Sequence, residues 1–254
     1  MTQPEYRSMG GRTALVTGGS GGIGAATALR LAEAGADVAV TYHGHRQEAE
    51  AAASQIRELG RRGVALPADL SEPSAPAELV GRVREEFGAL DVLVANAGTG
   101  HQLAWDDDEL DLDTWDLTMA VNLRAPWLLT RAALPAMISR NFGRVLYVSS
   151  VAALNGGIVG PHYAASKAGL HGLMHHLAAR VAAHGVTVNT IAPALITGTR
   201  FFPGEPAGSR TMPVPIPVGR TGRPEEVADL AVAMLTNAYL TDKVITLDGG
   251  LYPS

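Results

Sequence analysis

Seven short runs rich in Val, Leu, Ile and Ala punctuate the chain, at residues 13–16, 38–41, 64–66, 92–95, 145–149, 186–191 and 244–247, with longer stretches of helical character between them. That alternation predicts parallel strands joined by crossover helices, and hence an α/β fold. Several of the runs are apolar throughout, the pattern of a sheet covered on both faces. Among the intervening stretches, 47–59 is stopped by Gly60 and 79–87 by Gly88, glycines placed where a helix C-terminus favours one. At 254 residues, 46% hydrophobic and 18% charged, the chain is sized for one large core, and no repeat or linker divides it. A tail over residues 1–11 and a flap over 195–218 fall outside the pattern. Within the flap, "FFPGEPAGSRTMPVPIP" (201–217) carries five prolines, which forbid a continuous helix.

The charge balance narrows the partners. A formal net charge of -5 offers no broad basic surface for a phosphate backbone, so nucleic acid is not an expected partner. The opening "MTQPEYRSM" lacks the apolar core of a signal peptide, and no apolar run is long enough to cross a bilayer. There is no cysteine, which excludes disulfides and thiolate metal sites and fits a reducing, cytoplasmic setting.

Directly after the first run stands "TGGSGGIG" (17–24), five glycines in eight residues, followed by a helical stretch. A glycine-rich turn between a strand and a helix N-terminus lets backbone amides and the positive end of the helix dipole approach a pyrophosphate. On this reading Gly18 makes the turn, Gly22 admits the phosphates and Gly24 packs the helix on the strand. Other signatures follow the ends of the later runs: Asp69, then Asn96-Ala97-Gly98, then Ser149-Ser150, then Pro193. In a parallel sheet these ends share the carboxyl edge, where ligands bind.

"YAASK" places Tyr163 and Lys167 four apart, on one face of a helix. A phenol titrates near ~10 and needs a nearby cation to work as an acid or base at neutral pH. Lys167 can supply it.

With these motifs in order, the sequence resembles the short-chain dehydrogenase/reductase family from Thr13 to Gly250, through "TGGSGGIG", "ADL" (68–70), "ANAG" (95–98), Asn122 in "AVNL", Ser150 thirteen residues before Tyr163, and "LDGG". The resemblance implies a Rossmann-type doubly wound sheet, a nicotinamide cofactor and a catalytic tetrad of Asn122, Ser150, Tyr163 and Lys167. Ser150 would hydrogen-bond the carbonyl oxygen and Tyr163 would deliver the proton. Lys167 would lower the tyrosine pKa and hold the ribose, and Asn122 would anchor a water chain. Ser149 competes with Ser150, and the spacing to Tyr163 selects Ser150. The cofactor would also lie along Ser20, Gly21, Ile23, Asp69, Leu70, Asn96, Ala97, Gly98, Pro193, Ile196 and Thr197. In two places the chain departs from the family: Ala194 follows Pro193, and Asp242 replaces a glycine before the last strand.

After the second run, Tyr42 occupies the position where an NAD enzyme carries an acid, and His43, His45 and Arg46 follow. This cluster suits a phosphate, so NADP(H) is favoured, with NAD(H) the alternative. No metal is expected. His171, His175 and His176 have ligand-like spacing without companion ligands, and "WDDDELDLD" (105–113) lacks the order of a calcium loop.

For substrate, Phe201, Phe202, Met212, Val214 and Ile216 in the flap, with Leu103, Leu154 and Ile158, suggest a hydrophobic ketone. The expected reaction is reduction to a secondary alcohol; alternatives are 3-oxoacyl-[acyl-carrier-protein] reduction and NAD-dependent alcohol oxidation. For an acyl carrier protein partner, Arg140 and Arg144 are the candidate docking groups, although Asn141 and His184 stand where carrier-protein reductases have arginine. A non-catalytic nucleotide-binding protein is disfavoured by the intact tetrad. A homo-oligomer, tetramer or dimer, is expected through the helices after the fourth and fifth strands, where Trp115, Trp127, Leu128 and Leu134 serve either association or the core.

Overall fold

The computed structural model describes residues 8–199, 201–202 and 215–252. Seven strands form one parallel sheet: β1 (Thr13–Val16), β2 (Asp37–Tyr42), β3 (Gly63–Pro67), β4 (Val92–Ala95), β5 (Gly143–Val148), β6 (Val186–Pro193) and β7 (Val244–Leu247). Their order across the sheet is β3-β2-β1-β4-β5-β6-β7, which reverses direction between β1 and β4. The crossovers carry α1 (Gly22–Glu33), α2 (Arg46–Glu58), α3 (Ala75–Phe87), α4 (Leu112–Met119), α5 (Ala125–Ser139), α6 (Ala152–Asn155), α7 (Pro161–Val181) and α8 (Pro224–Thr236).

Because successive side chains on a strand face opposite ways, each strand feeds two cores. Leu15, Leu93, Val145 and Tyr147 pack with α3, α5 and α7, while Ala14, Val16, Val94 and Leu146 pack with α1, α2 and α8. With both faces covered, apolar runs are required, as the sequence reads. Each fully buried Leu or Val is worth about 2 kcal/mol in transfer free energy.

All seven expected strands form, with shifted ends. β5 starts at Gly143 and stops at Val148, so Ser149 lies just beyond the ladder, and β6 runs on to Pro193. The third helix starts at Ala75 because Pro76 is tolerated in a first turn, where its missing N–H is not needed. Met9, inside the expected tail, is 2% exposed and packs in the α1 core, its N–H donating to Ala34 O at 2.7 Å. Parts of the expected flap are also packed: Ile196 and Ile216 are buried, and Ile196 bridges to Gly222. Met212 and Val214 lie outside the described residues. Among the described residues no helix is long and apolar enough to cross a membrane.

Candidate active site

Threonines at the carboxyl ends of β1 and β2 hold the glycine loop in place, the first of them against the end of β4. Thr17 Oγ1 accepts from the N–H groups of Asn96 and Ala97, both at 3.0 Å, and Asn96 Nδ2 donates back to Thr17 O at 2.9 Å and to Gly18 O at 3.2 Å. From β2, Thr41 accepts Gly18 N–H on its hydroxyl at 3.1 Å and Gly19 N–H on its carbonyl at 2.9 Å. Neither threonine was singled out by sequence; the only signal was a hydroxyl residue at a strand end.

The glycines divide by cause. Gly18 has φ 65 and its added Cβ would sit 2.9 Å from Ala97 Cα, while a Cβ on Gly24 would overlap the Gly18 carbonyl. Both answer to the protein's own packing. Gly22, read as the phosphate-admitting position, has φ 54 and faces Thr199 Cγ2 at 3.2 Å, so backbone conformation also accounts for it. Gly21 is different: its φ of 165 is open to any residue, and a Cβ there would meet nothing within 4 Å. Bare backbone at the start of α1, facing a cleft and with no acidic residue in the first helical turn, suits a diphosphate.

That cleft is a cavity of about 900 Å³ that runs from the glycine loop past Asn96–Gly98 to Ser150, Tyr163 and Lys167. Tyr163 lines it while only 8% exposed, in contrast to Tyr147, which is sealed in the core against Thr130. Ser150 faces the phenol. Ser149 is turned to α7, where its hydroxyl donates to Lys167 O at 3.0 Å and meets His171 Nε2 at 2.9 Å. Lys167 Nζ donates to Val148 O at 2.9 Å and lies 5.6 Å from the Tyr163 ring centroid.

Asn122 is fully buried in the single π turn Ala120–Arg124. Both of its amide hydrogens are used: Nδ2 donates to Thr99 O at 2.8 Å and Ser166 Oγ at 3.1 Å, while Oδ1 accepts Thr99 N–H at 2.8 Å. Gly98 lies against both Asn122 Oδ1 and Lys167 Nζ, since its added Cβ would be 3.3 Å from each.

Burial sets the direction of the tyrosine shift in this arrangement. Burial pushes the Tyr163 phenol up to about 12, with the Ser150 hydrogen bond pulling the other way, and burial pulls Lys167 down to about 8. Desolvation dominates because each group is enclosed by apolar neighbours. Phe201 contributes, its ring 5.3 Å from that of Tyr163.

Other expected contacts sort by position. Ile23, Pro193, Ile196, Ile158, Phe201 and Phe202 line the cavity together with Ser20. Leu103, Leu154, Thr197 and Ile216 do not: Leu103 N–H is tied to Val159 O, Leu154 is 38% exposed, Thr197 Oγ1 bonds Gly222 O, and Ile216 packs over Gly249. Val159, Leu195 and Leu251 take part instead, and Leu195 adopts a left-handed φ of 49. Tyr42, His43, Arg46, Asp69 and Leu70 cluster at the ends of β2 and β3, beyond the cavity wall formed by His45 and Glu48. There His43 Nδ1 is 3.9 Å from Asp69 Oδ2 and His45 Nδ1 is 3.6 Å from Glu48 Oε1, whereas Arg46 has no ion-pair partner among the described residues.

Arg140 and Arg144, the candidate docking groups, lie at the amino edge of the sheet and are held by the protein's own carbonyls. Arg144 opens β5 at the amino edge, 7% exposed and bonded to the carbonyls of Leu235, Gly143 and Gly185, and Arg140 is bonded to Leu90 O and Asp91. Among the described residues no group of three or more His, Cys, Asp or Glu could hold a metal ion.

A family model described as short chain dehydrogenase matches residues 12–206. The chain belongs to the short-chain dehydrogenase family. As a member it is an NAD(P)-dependent oxidoreductase acting on a carbonyl or alcohol group. Among its relatives, an L-rhamnose 1-dehydrogenase (NAD(P)(+)) of Sphingomonas sp. (strain SKA58) is 35% identical over 95% of this chain and 96% of its own length. A 3-oxoacyl-[acyl-carrier-protein] reductase of Staphylococcus aureus (strain Mu50 / ATCC 700699) is 33% identical over 95% of this chain and 98% of its own. The crystal structure of a short-chain dehydrogenase from Burkholderia cenocepacia J2315 in complex with NADP superposes with a TM-score of 0.82 at 38% identity, covering 95% of this chain and 98% of that one.

Proposed function

We propose that this dehydrogenase works as a ketone reductase, with NADPH preferred over NADH and Tyr163 as proton donor. The observation that carries the reading is the convergence of Ser150, Tyr163 and Lys167 on the same cleft that Gly21 leaves open at its other end. The residues fit a dinucleotide: main chain at Gly21–Ile23 for the diphosphate, Asn96–Gly98 along the middle, Lys167 for a ribose and Arg46 for a 2′-phosphate. When bound, the nicotinamide supplies the hydride that the substrate's carbonyl carbon accepts.

The chain's own groups do the rest. Ser150 donates a hydrogen bond to the carbonyl oxygen and holds it beside the phenol. As that oxygen becomes an alkoxide, the Tyr163 O–H bond breaks and the proton passes to it. Burial keeps the Tyr163 phenol protonated at neutral pH, so the proton is on the donor when the carbonyl arrives. Lys167 is protonated below its value of about 8 and stabilises the phenolate left behind. The pairing of phenol and ammonium thus acts at the moment of proton transfer.

Ile158, Val159, Phe201, Phe202 and Leu251 make the substrate end apolar, which supports a hydrophobic ketone. A bulky acyl carrier protein is disfavoured, because the two arginines offered for docking lie at the opposite edge of the sheet. Copies of the chain associate, on this reading, through α4, α5 and α7, where Trp127 is 44% exposed beside a hollow of about 530 Å³. A sequence without cysteine supports a reducing, cytoplasmic setting on this reading.

A panel of hydrophobic ketones with NADPH and NADH, followed by nicotinamide absorbance, tests the whole reading. Tyr163→Phe is expected to lose at least about a hundredfold in kcat; an unchanged rate overturns the donor assignment. Arg46→Ala is expected to weaken NADPH about tenfold and leave NADH alone, and tighter binding of NADH by the wild type overturns the cofactor preference.

A further inference from the structure

We propose that His171 is a positioning residue for proton transfer, holding through Ser149 the turn of α7 that carries Tyr163 and Lys167. The inference rests on the reading of Tyr163 as proton donor and adds a residue that touches neither substrate nor dinucleotide.

Ser149 is the first residue past β5, 4% exposed, and its main-chain N–H is fixed to Ile191 O at 2.8 Å. Its hydroxyl has two partners, Lys167 O at 3.0 Å and His171 Nε2 at 2.9 Å. A carbonyl oxygen only accepts, so the single hydroxyl hydrogen points at Lys167. The imidazole must then be the donor, which fixes His171 as carrying hydrogen on Nε2. Serine alone has a rotor free to leave the carbonyl; donation from His171 holds the oxygen's lone pair and with it the rotor.

The turn is gripped twice. Lys167 Nζ donates to Val148 O at 2.9 Å, and Lys167 O accepts from Ser149, so consecutive residues at the end of β5 hold both ends of one lysine. Ser150 comes next in the chain and faces the phenol. A slide or roll of α7 along β5 is therefore a displacement of Tyr163 relative to Ser150. One turn further along, His175 Nδ1 lies 2.6 Å from Asp242 Oδ1, which ties the helix to the turn before β7. Lys167, His171 and His175 are each four apart and share one face of α7, so the three tethers act along a single stripe. Asp242, where the family pattern has glycine, holds φ 62 to make that reach.

The first test needs no substrate. Long-range proton–nitrogen correlation spectra of the full chain are expected to show His171 as the Nε2–H tautomer in wild type; the Nδ1–H tautomer overturns the latch. Kinetics with NADPH and a ketone turned over by the wild type supply the second. His171→Leu is expected to lower kcat at least about tenfold with KM within about twofold, since misplacement affects chemistry more than binding. His171→Gln, which keeps an N–H donor, is expected to recover most of that loss. Ser149→Ala is expected to match His171→Leu, and the double variant to be no worse than either, because the two form one unit.

Wild-type kcat in His171→Leu, failure of Gln to recover it in a folded variant, or losses that multiply in the double variant would each overturn the proposal. If His171→Leu does not fold, Ser149→Ala decides the matter, and an unaltered kcat there counts against it. Tyr163→Phe separates the two layers: retained activity in that variant sinks the donor reading, whereas an inactive Tyr163→Phe beside a normal His171→Leu sinks the latch alone.

Discussion

Lys167→Met isolates the cost of keeping an ammonium group inside this fold. Burial pulls the lysine from 10.5 down to about 8, and a lysine 3% exposed has no solvent screening to discount. Each pKa unit corresponds to about 1.4 kcal/mol, so the charged form costs about 3 kcal/mol of stability at pH 7. Methionine has similar length and no charge. Its introduction removes that penalty but leaves the Val148 carbonyl without its donor, a loss of about 1–2 kcal/mol. The variant is expected to be more stable than wild type by about 1–2 kcal/mol at pH 7, and inactive. The pH dependence is the sharper test. Because the folded value lies below the unfolded one, the unfolded chain binds more protons between about 8 and 10.5, and wild-type stability rises with pH across that window. The variant has no such term, so its advantage is expected to vanish by the upper end, where the wild type overtakes it. Urea unfolding of both proteins without cofactor, at pH 7, 8, 9 and 10, measures the difference directly, since the remaining titrations cancel. A difference that stays constant with pH, or a variant less stable at pH 7, would refute the reasoning.

Two glycines of the loop are expected to separate folding from binding. Gly24→Ala forces a Cβ into the Gly18 carbonyl and is expected to cost about 3 kcal/mol or more, seen as a lowered urea midpoint. Gly21→Ala is expected to cost less than about 1 kcal/mol, the loss of a favourable N-cap residue, yet weaken NADPH at least about tenfold by calorimetry; equal effects at the two sites would refute the division. His162 has no exposed surface, and the His101 backbone hydrogen bond that favours its charged form does not offset that burial. Burial holds its pKa below the ordinary value, so its contribution is complete above about 6.5 and is lost as pH falls toward the folded pKa. Relative to wild type, His162→Phe is therefore expected to gain stability between pH 7 and 5, and parallel pH profiles of thermal midpoint would count against this.

The sheet was legible because apolar runs short enough for strands recur with helix-sized spacing, and a two-sided sheet leaves no other place for them. Strand ends were less so: whether Ser149 belongs to β5 depends on its ladder with β6, a contact between residues more than forty apart. In the site, Tyr163, Lys167 and the glycine loop were local in sequence and easy to see. Thr17, Thr41 and His171 were not, since each acts through a partner on a different element. The charge of a side chain was visible but its surroundings were not, which is why Arg144 read as a docking group and is in fact a buried brace. Nor could the sequence show how strongly enclosure acts on Tyr163, where it outweighs the Ser150 hydrogen bond.

Leu195 gives the cleft an unusual place to be widened. Cutting back a side chain that lines a pocket ordinarily weakens a protein. Here the backbone sits at φ 49, a torsion that costs a branched residue roughly 1 kcal/mol and a glycine nothing. Trimming to glycine therefore returns in torsional relief about what it forfeits in chain entropy, so among the described wall residues this position gives larger ketones room at the cost of the leucine's own packing alone.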